Sequence, residues 1–118
     1  MELRFTKILP YLLCYTDRLP SGFKGAANGP FVRIKKSSKN DFGLHVHEET
    51  HVRQFYMTLS LHSYLYLLYK PYRQWAEVKA FHAQYKTGAD LNHLSHFLAS
   101  NYGLKISVNE AKKLILKG

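Results

Sequence analysis

Cysteine is nearly missing from this sequence, with Cys14 the only one. That excludes a disulfide within the chain and any thiolate-rich zinc motif, so a metal would have to be held by His, Asp or Glu. Acid is scarce as well: 8 Asp and Glu stand against 17 Lys and Arg, for a formal net charge of +9. Such a balance attracts polyanions without specifying one. The cations are scattered, dense only at Arg33-Ile34-Lys35-Lys36 with Lys39 and at Lys112-Lys113, and no nucleic-acid motif accompanies them. The expectation is a solubilising surface, with nucleic acid bound at most weakly and without sequence preference.

A long apolar run is the third absence. Phe55 to Tyr69 carries no formal charge and is rich in Leu and Tyr, but it falls short of the ~20 residues that a bilayer span needs. It is expected to be a buried central helix, with Tyr64, Tyr66, Tyr69 and Trp75 packing in the core or between helices. Near the start, Arg4 and Lys7 precede the apolar stretch Ile8 to Tyr15 in loose imitation of a secretory signal. Pro10 interrupts that stretch and no small-residue cleavage pattern follows, so it reads as a strand or short helix of the mature fold.

What is present fits one domain spanning residues 1–118, with 46% hydrophobic residues and a modest core. A chain of this length buries only roughly two thirds of its unfolded surface, so a metal that joined distant segments would help to stabilise it. Pro20 to Pro30, with Gly22, Gly25, Asn28 and Gly29, reads as a long turn between two extended segments. The second of these, Phe31 to Lys36, alternates as a half-exposed strand does. Asn40 or Asp41 can cap a helix from about Phe42 that continues towards Tyr69, where Lys70-Pro71 breaks it. Pro71 suits the first turn of the next helix, Tyr72 to about Lys86, which Gly88 ends. A third helix, Leu91 to Tyr102, follows Asp90 and is closed by Gly103, and Ser107 to Glu110 has capping-box spacing ahead of a short last helix. Strands first and helices afterwards make an α+β domain dominated by helix.

The first helix carries His47-Glu48-Glu49-Thr50-His51. Residues four apart share a helix face, so His47 and His51 can each place an imidazole nitrogen ~2.0–2.1 Å from one zinc ion. Glu48 then lies within reach of a water on the same metal, where a carboxylate acts as general base in metal-assisted hydrolysis. The pattern has a plainer reading as two packed or surface histidines, against which its place early in a long helix after a strand and turn counts.

The run His47 to Gln54 resembles the active-site helix of the zincin metallopeptidases, and the order of elements from Val32 to Gln84 resembles the gluzincin branch. Small phage and prophage proteins of uncharacterised function and the compact minigluzincins share that order. The resemblance implies a zinc-dependent peptidase with short N-terminal strands, the His-Glu helix, and a second helix whose glutamate supplies the third ligand, here Glu77. It also implies a peptide or protein substrate and a cytoplasmic location in a bacterial or phage-infected cell. Thermolysin-like enzymes carry an aspartate four residues after that glutamate to orient a zinc histidine, whereas this sequence has Phe81 there. Other gluzincins accommodate a small residue such as Ala80.

Alternatives stay open from sequence. His93 or His96, three apart on one helix face, competes with Glu77 as third ligand. His62 comes too late for the metzincin spacing and reads as a helix residue near core or surface. His45 points away from the pair, and Gln54 has a structural role at least as readily as a functional one. Tyr72, Arg73, His82, Tyr85 and His93 are candidates to stabilise an oxyanion. If Phe31 to Lys36 forms an edge strand above the site, it could hold an extended peptide by main-chain bonds. The rival function is a catalytically silent, zinc-stabilised binding or phage morphogenesis protein with a basic surface.

Overall fold

In the computed structural model, which describes residues 1–118, an N-terminal four-stranded sheet is followed by five α-helices. β1 (Glu2–Thr6) and β2 (Leu9–Tyr15) form an antiparallel hairpin around the turn Lys7-Ile8. β3 (Gly25–Asn28) and β4 (Phe31–Ile34) form a second, and β4 joins β2 in parallel to give the order β1-β2-β4-β3. Pro10 lies ahead of the β2–β4 ladder, which begins at Leu12, so its missing N–H removes no bond on that side.

Two expectations about this region change. Residues 20–30 are not only a turn, because Gly25 to Asn28 pair with β4. The tell-tale was Asn28-Gly29: Gly29, at φ +60°, opens a two-residue hairpin turn that a side chain would strain. As a result β4 is an interior strand, and the edge on this side of the sheet is β3.

Alternation buries Tyr11 and Leu13 of β2 and Val32 and Ile34 of β4 on one sheet face, where they meet Val52 of the first helix. That helix, α1 (Phe42–Met57), starts at Asp41, whose side chain accepts from the Leu44 N–H. It stops well before Tyr69. The Thr58 N–H and Oγ1 both donate to the Gln54 carbonyl, at 3.0 Å and 2.9 Å, and Leu59 and Ser60 turn left-handed at φ +52° and +72°. No Gly or Pro announces this break, which is why the sequence pattern runs through it.

The segment beyond, α2 (His62–Leu68), is therefore not a buried central helix. It buries His62, while Tyr64, Leu67, Leu68 and Tyr69 stand exposed, as does Trp75 further on. α3 (Lys70–Tyr85) has Pro71 in its first turn and runs antiparallel to α1, pairing Gln54 with Ala76 and His47 with Gln84. α4 (Leu91–Asn101) begins at Asp90, and α5 (Val108–Lys117) begins with both bonds of the Ser107–Glu110 capping box. Val78 and Phe81 of α3 join Leu94 and Leu98 of α4 and Ile115 of α5 in a second apolar cluster. The α1–α3 seam lies between the two clusters.

Because Asp41 satisfies an otherwise orphan N–H at the start of α1, Asp41→Ala is expected to destabilise the fold by about 1 kcal/mol. Urea unfolding should show a lower midpoint at unchanged slope. An unchanged midpoint would mean that the cap contributes nothing.

Candidate metal centre

Three buried side chains meet on the α1–α3 seam. His47 and His51, one turn apart on α1, and Glu77 on α3 bring one ligand atom each within 4.8 Å of one another. The geometry is specific. His47 Nε2 and His51 Nε2 lie 3.3 Å and 3.2 Å from the same oxygen, Glu77 Oε1.

What aims the two imidazoles is a pair of glutamines. His47 Nδ1 donates to Gln84 Oε1 at 3.0 Å, and His51 Nδ1 donates to Gln54 Oε1 at 2.9 Å. With Nδ1–H engaged by an amide, Nε2 is the atom of each ring that faces Glu77: protonated, it donates to the carboxylate, and deprotonated, it has a lone pair to offer a metal. Gln54 is itself fixed, since its Nε2 donates to the Ala76 carbonyl at 3.0 Å. Tyr66 donates to Glu77 Oε2, the oxygen that faces away from the histidines.

Gln84 lies seven residues after Glu77, two helical turns on and on the same face, so its spacing from Glu77 was the signal for it. At the position of the thermolysin-like aspartate, Phe81 packs edge-on against His47 with centroids 4.4 Å apart. Imidazole orientation is thus supplied by amides rather than by a carboxylate.

Burial and mutual charge set the ionisation of this group in the absence of a metal. Burial works against the charged form of Glu77, but His51 and the bonds from both histidines outweigh it and hold the carboxyl well below its ordinary range. For His51, burial opposes the proton, yet the charge and hydrogen bond of Glu77 prevail and raise it to about 9. Glu48 shifts the other way. Burial raises its carboxyl despite the nearby histidines.

Glu48 makes no hydrogen bond or ion pair with the protein. Its carboxylate lies against β3 at Gly25, where an added Cβ would come within 2.8 Å of Oε2. Two cavities meet at this residue. One, of about 280 Å³, is bordered by β3, the His-His-Glu group, His62 and Tyr66. The other, of about 450 Å³, runs past Phe81 and Gln84 to His93.

The remaining candidates are dispersed. His93 and His96 are outside the ligand group, and His96 Nδ1 bonds the Asn92 carbonyl of its own helix. His45 is turned away to the Lys39 carbonyl, at 2.9 Å. His82 is engaged by the Ile115 carbonyl, Tyr85 packs against the α3–α5 cluster, and Tyr72 and Arg73 do not border the first cavity. Instead His62, Tyr66 and Tyr102 supply its aromatic polar groups. His62 Nδ1 shares a 2.6 Å hydrogen bond with the Tyr72 hydroxyl, and burial followed by the charge of His51 lowers it to about 4. Nothing local in the sequence marks these three: His62 and Tyr66 reach the cavity because the break at Thr58 to Leu61 brings α2 over α1, and Tyr102 reaches it from the end of α4.

Comparison with known proteins gives no match to a family model, to a curated protein or to a solved structure.

The metal-free chain carries a pH signature. The raised His51 stabilises the fold fully below its unfolded value of 6.5, and that contribution is lost as pH rises towards about 9. Glu48, with its raised carboxyl, contributes a loss in the same direction beginning above 4.5. On the acid side, the lowered His62 withdraws stability below 6.5 and the depressed Glu77 does so below 4.5. Thermal melts in chelator should therefore fall from pH 6.5 to 9, and His51→Gln should flatten that limb. A wild-type melt that rises over this interval would contradict the His51–Glu77 pairing.

Proposed function

We propose that the protein is a zinc-dependent metallopeptidase-like protein, with His47, His51 and Glu77 as the metal ligands and Glu48 as the general base. The observation that carries this reading is the convergence of two glutamine-oriented Nε2 atoms on Glu77 Oε1, beside a buried carboxylate that has no other partner. The donor set fits the ion: two neutral imidazoles and one carboxylate, free of thiols, are a common catalytic zinc set and leave a coordination position for water or substrate. Bound there, zinc would supply a Lewis acid and acidify a water molecule.

The chain's own groups account for the rest. Glu48, adjoining both cavities and held in its basic form less firmly than an exposed carboxylate, takes the proton of the attacking water and passes it to the leaving nitrogen. β3 is one of the two edge strands of the sheet and borders the first cavity through Gly25 to Asn28. An extended peptide can add to it by main-chain bonds, with its scissile carbonyl beside Glu48. His62 and Tyr102, which line the same cavity from separate parts of the chain, are the candidates to meet a developing negative charge. A phage or prophage origin accords with the element order noted above.

The purified protein should contain one zinc per chain, and His47→Ala or His51→Ala should abolish it. Gln84→Ala should retain the stoichiometry while lowering affinity about 10–100-fold in competition with a chromogenic chelator. Protein that takes up no zinc would end the proposal.

Glu48→Gln separates an enzyme from a zinc-stabilised scaffold. It preserves shape and removes the base, so zinc content and fold should survive while peptide cleavage falls by ~10²–10⁴. Wild type and variant, both zinc-loaded, should be compared on a broad peptide library at neutral pH. Equal cleavage would refute the role of Glu48. Zinc binding without cleavage by the wild type would favour the rival, a silent zinc-stabilised binding or morphogenesis protein.

A further inference from the structure

One end of the molecule combines three segments that are distant in sequence. The Arg53 guanidinium donates to Thr6 and the Tyr56 hydroxyl donates to the Pro10 carbonyl, which fixes the β1–β2 turn beside the C-terminal end of α1. The antiparallel run of α1 and α3 brings Lys70 and Arg73 to the same end, with α2 between them.

This end is apolar where it is most exposed. Ile8 at the hairpin turn is 87% exposed, Leu59 in the α1–α2 turn 86%, and Leu68 at the end of α2 82%. Leu59 is also held in a left-handed conformation that a leucine adopts at a cost, with its side chain outward rather than tucked into the fold. Tyr64, Tyr69 and Trp75 add exposed rings that have an apolar body or a polar edge, the kind that sits at a lipid headgroup boundary.

Charge of one sign frames the leucines. From Leu3 to Thr16 and from Thr50 to Ala76 there is no Asp or Glu, whereas the exposed Lys7 and the half-buried Lys70 fall within those two stretches, together with Arg53, held by Thr6 and Thr50, and Arg73, whose Nε is buried without a partner. The chain as a whole carries +9. A second copy of such a surface would bring cations against cations, which disfavours self-association there. An anionic lipid surface accepts both features, taking the leucines below the headgroups and the cations among them. No helix is long and apolar enough to cross a membrane, so contact would be with one leaflet.

We infer that the end formed by the β1–β2 turn, the α1–α2 turn, α2 and the start of α3 is a docking surface for anionic lipid bilayers. This does not rest on the metallopeptidase reading. It gives that reading a setting, because α2 borders the cavity beside Glu77 and docking would hold its mouth close to the headgroups.

Flotation with vesicles tests it, using the full chain and two lipid compositions: phosphatidylcholine alone, and phosphatidylcholine with about 30% phosphatidylglycerol. The wild type should partition onto the anionic vesicles about tenfold or more better than onto the neutral ones, less so at high salt. The single tryptophan, Trp75, should shift its emission to the blue on binding. The double variant Leu59→Asn with Leu68→Gln should reduce partitioning by about tenfold. Asn suits the left-handed position of residue 59, so the fold should survive, as far-ultraviolet circular dichroism would check. Lys70→Glu, at the first turn of α3 where a carboxylate favours the helix dipole, should also weaken binding about tenfold without loss of fold. Failure of the wild type to float with anionic vesicles overturns the inference, as does undiminished flotation of the folded double variant. A wild-type dimer in sedimentation that the double variant dissolves would overturn it too, by assigning the face to a second copy.

Discussion

A single carboxylate oxygen organises this molecule. Glu77 Oε1 is shared by two imidazoles from the facing helix, so α1 and α3 are joined by charge and hydrogen bonds along a seam that has an apolar cluster on either side. One cluster belongs to the sheet and α1, the other to α3, α4 and α5. Removing Glu77 would leave two buried imidazoles facing each other without their shared partner, the expensive way to break a buried pair. A metal ion would take the carboxylate's place as the common neighbour of both rings and tie the same two helices by coordination.

The sequence was most informative where local chemistry alone decides structure. Asp41, Asp90 and the Ser107–Glu110 pair begin their helices as their side chains dictate, and Pro71 starts α3 where it must. The facing of His47 and His51 followed from helical periodicity. The position of Glu77 opposite them came from resemblance rather than from periodicity, since nothing in the spacing of 26 residues between His51 and Glu77 says that two helices meet.

Where packing between segments decides, the sequence was silent or misleading. The uncharged Phe55 to Tyr69 has the composition of a core helix, yet a left-handed turn at Leu59 and Ser60 splits it and turns its apolar side chains outward. Gly25 to Asn28 contains two alanines and no residue with strong strand preference, yet it becomes the sheet edge because Gly29 folds it back on β4. Its first residue, lacking a Cβ, is what lets Glu48 lie against the strand. Gln84 could be found only by way of Glu77, two helical turns before it, and the aromatic polar groups of the cavity only once α2 and the end of α4 are laid against α1.

The amide collar around the two histidines has an electrostatic corollary. A carboxylate in the place of Gln54 or Gln84 would bring a further negative charge to the seam and would itself gain a proton in acid. An amide does neither. With a divalent ion, Glu77 and Glu48 would balance the formal charge of the centre to zero, and the hold on each ring would persist across the whole range in which the rings remain neutral. Ring orientation here is therefore decoupled from proton uptake by the groups that orient it.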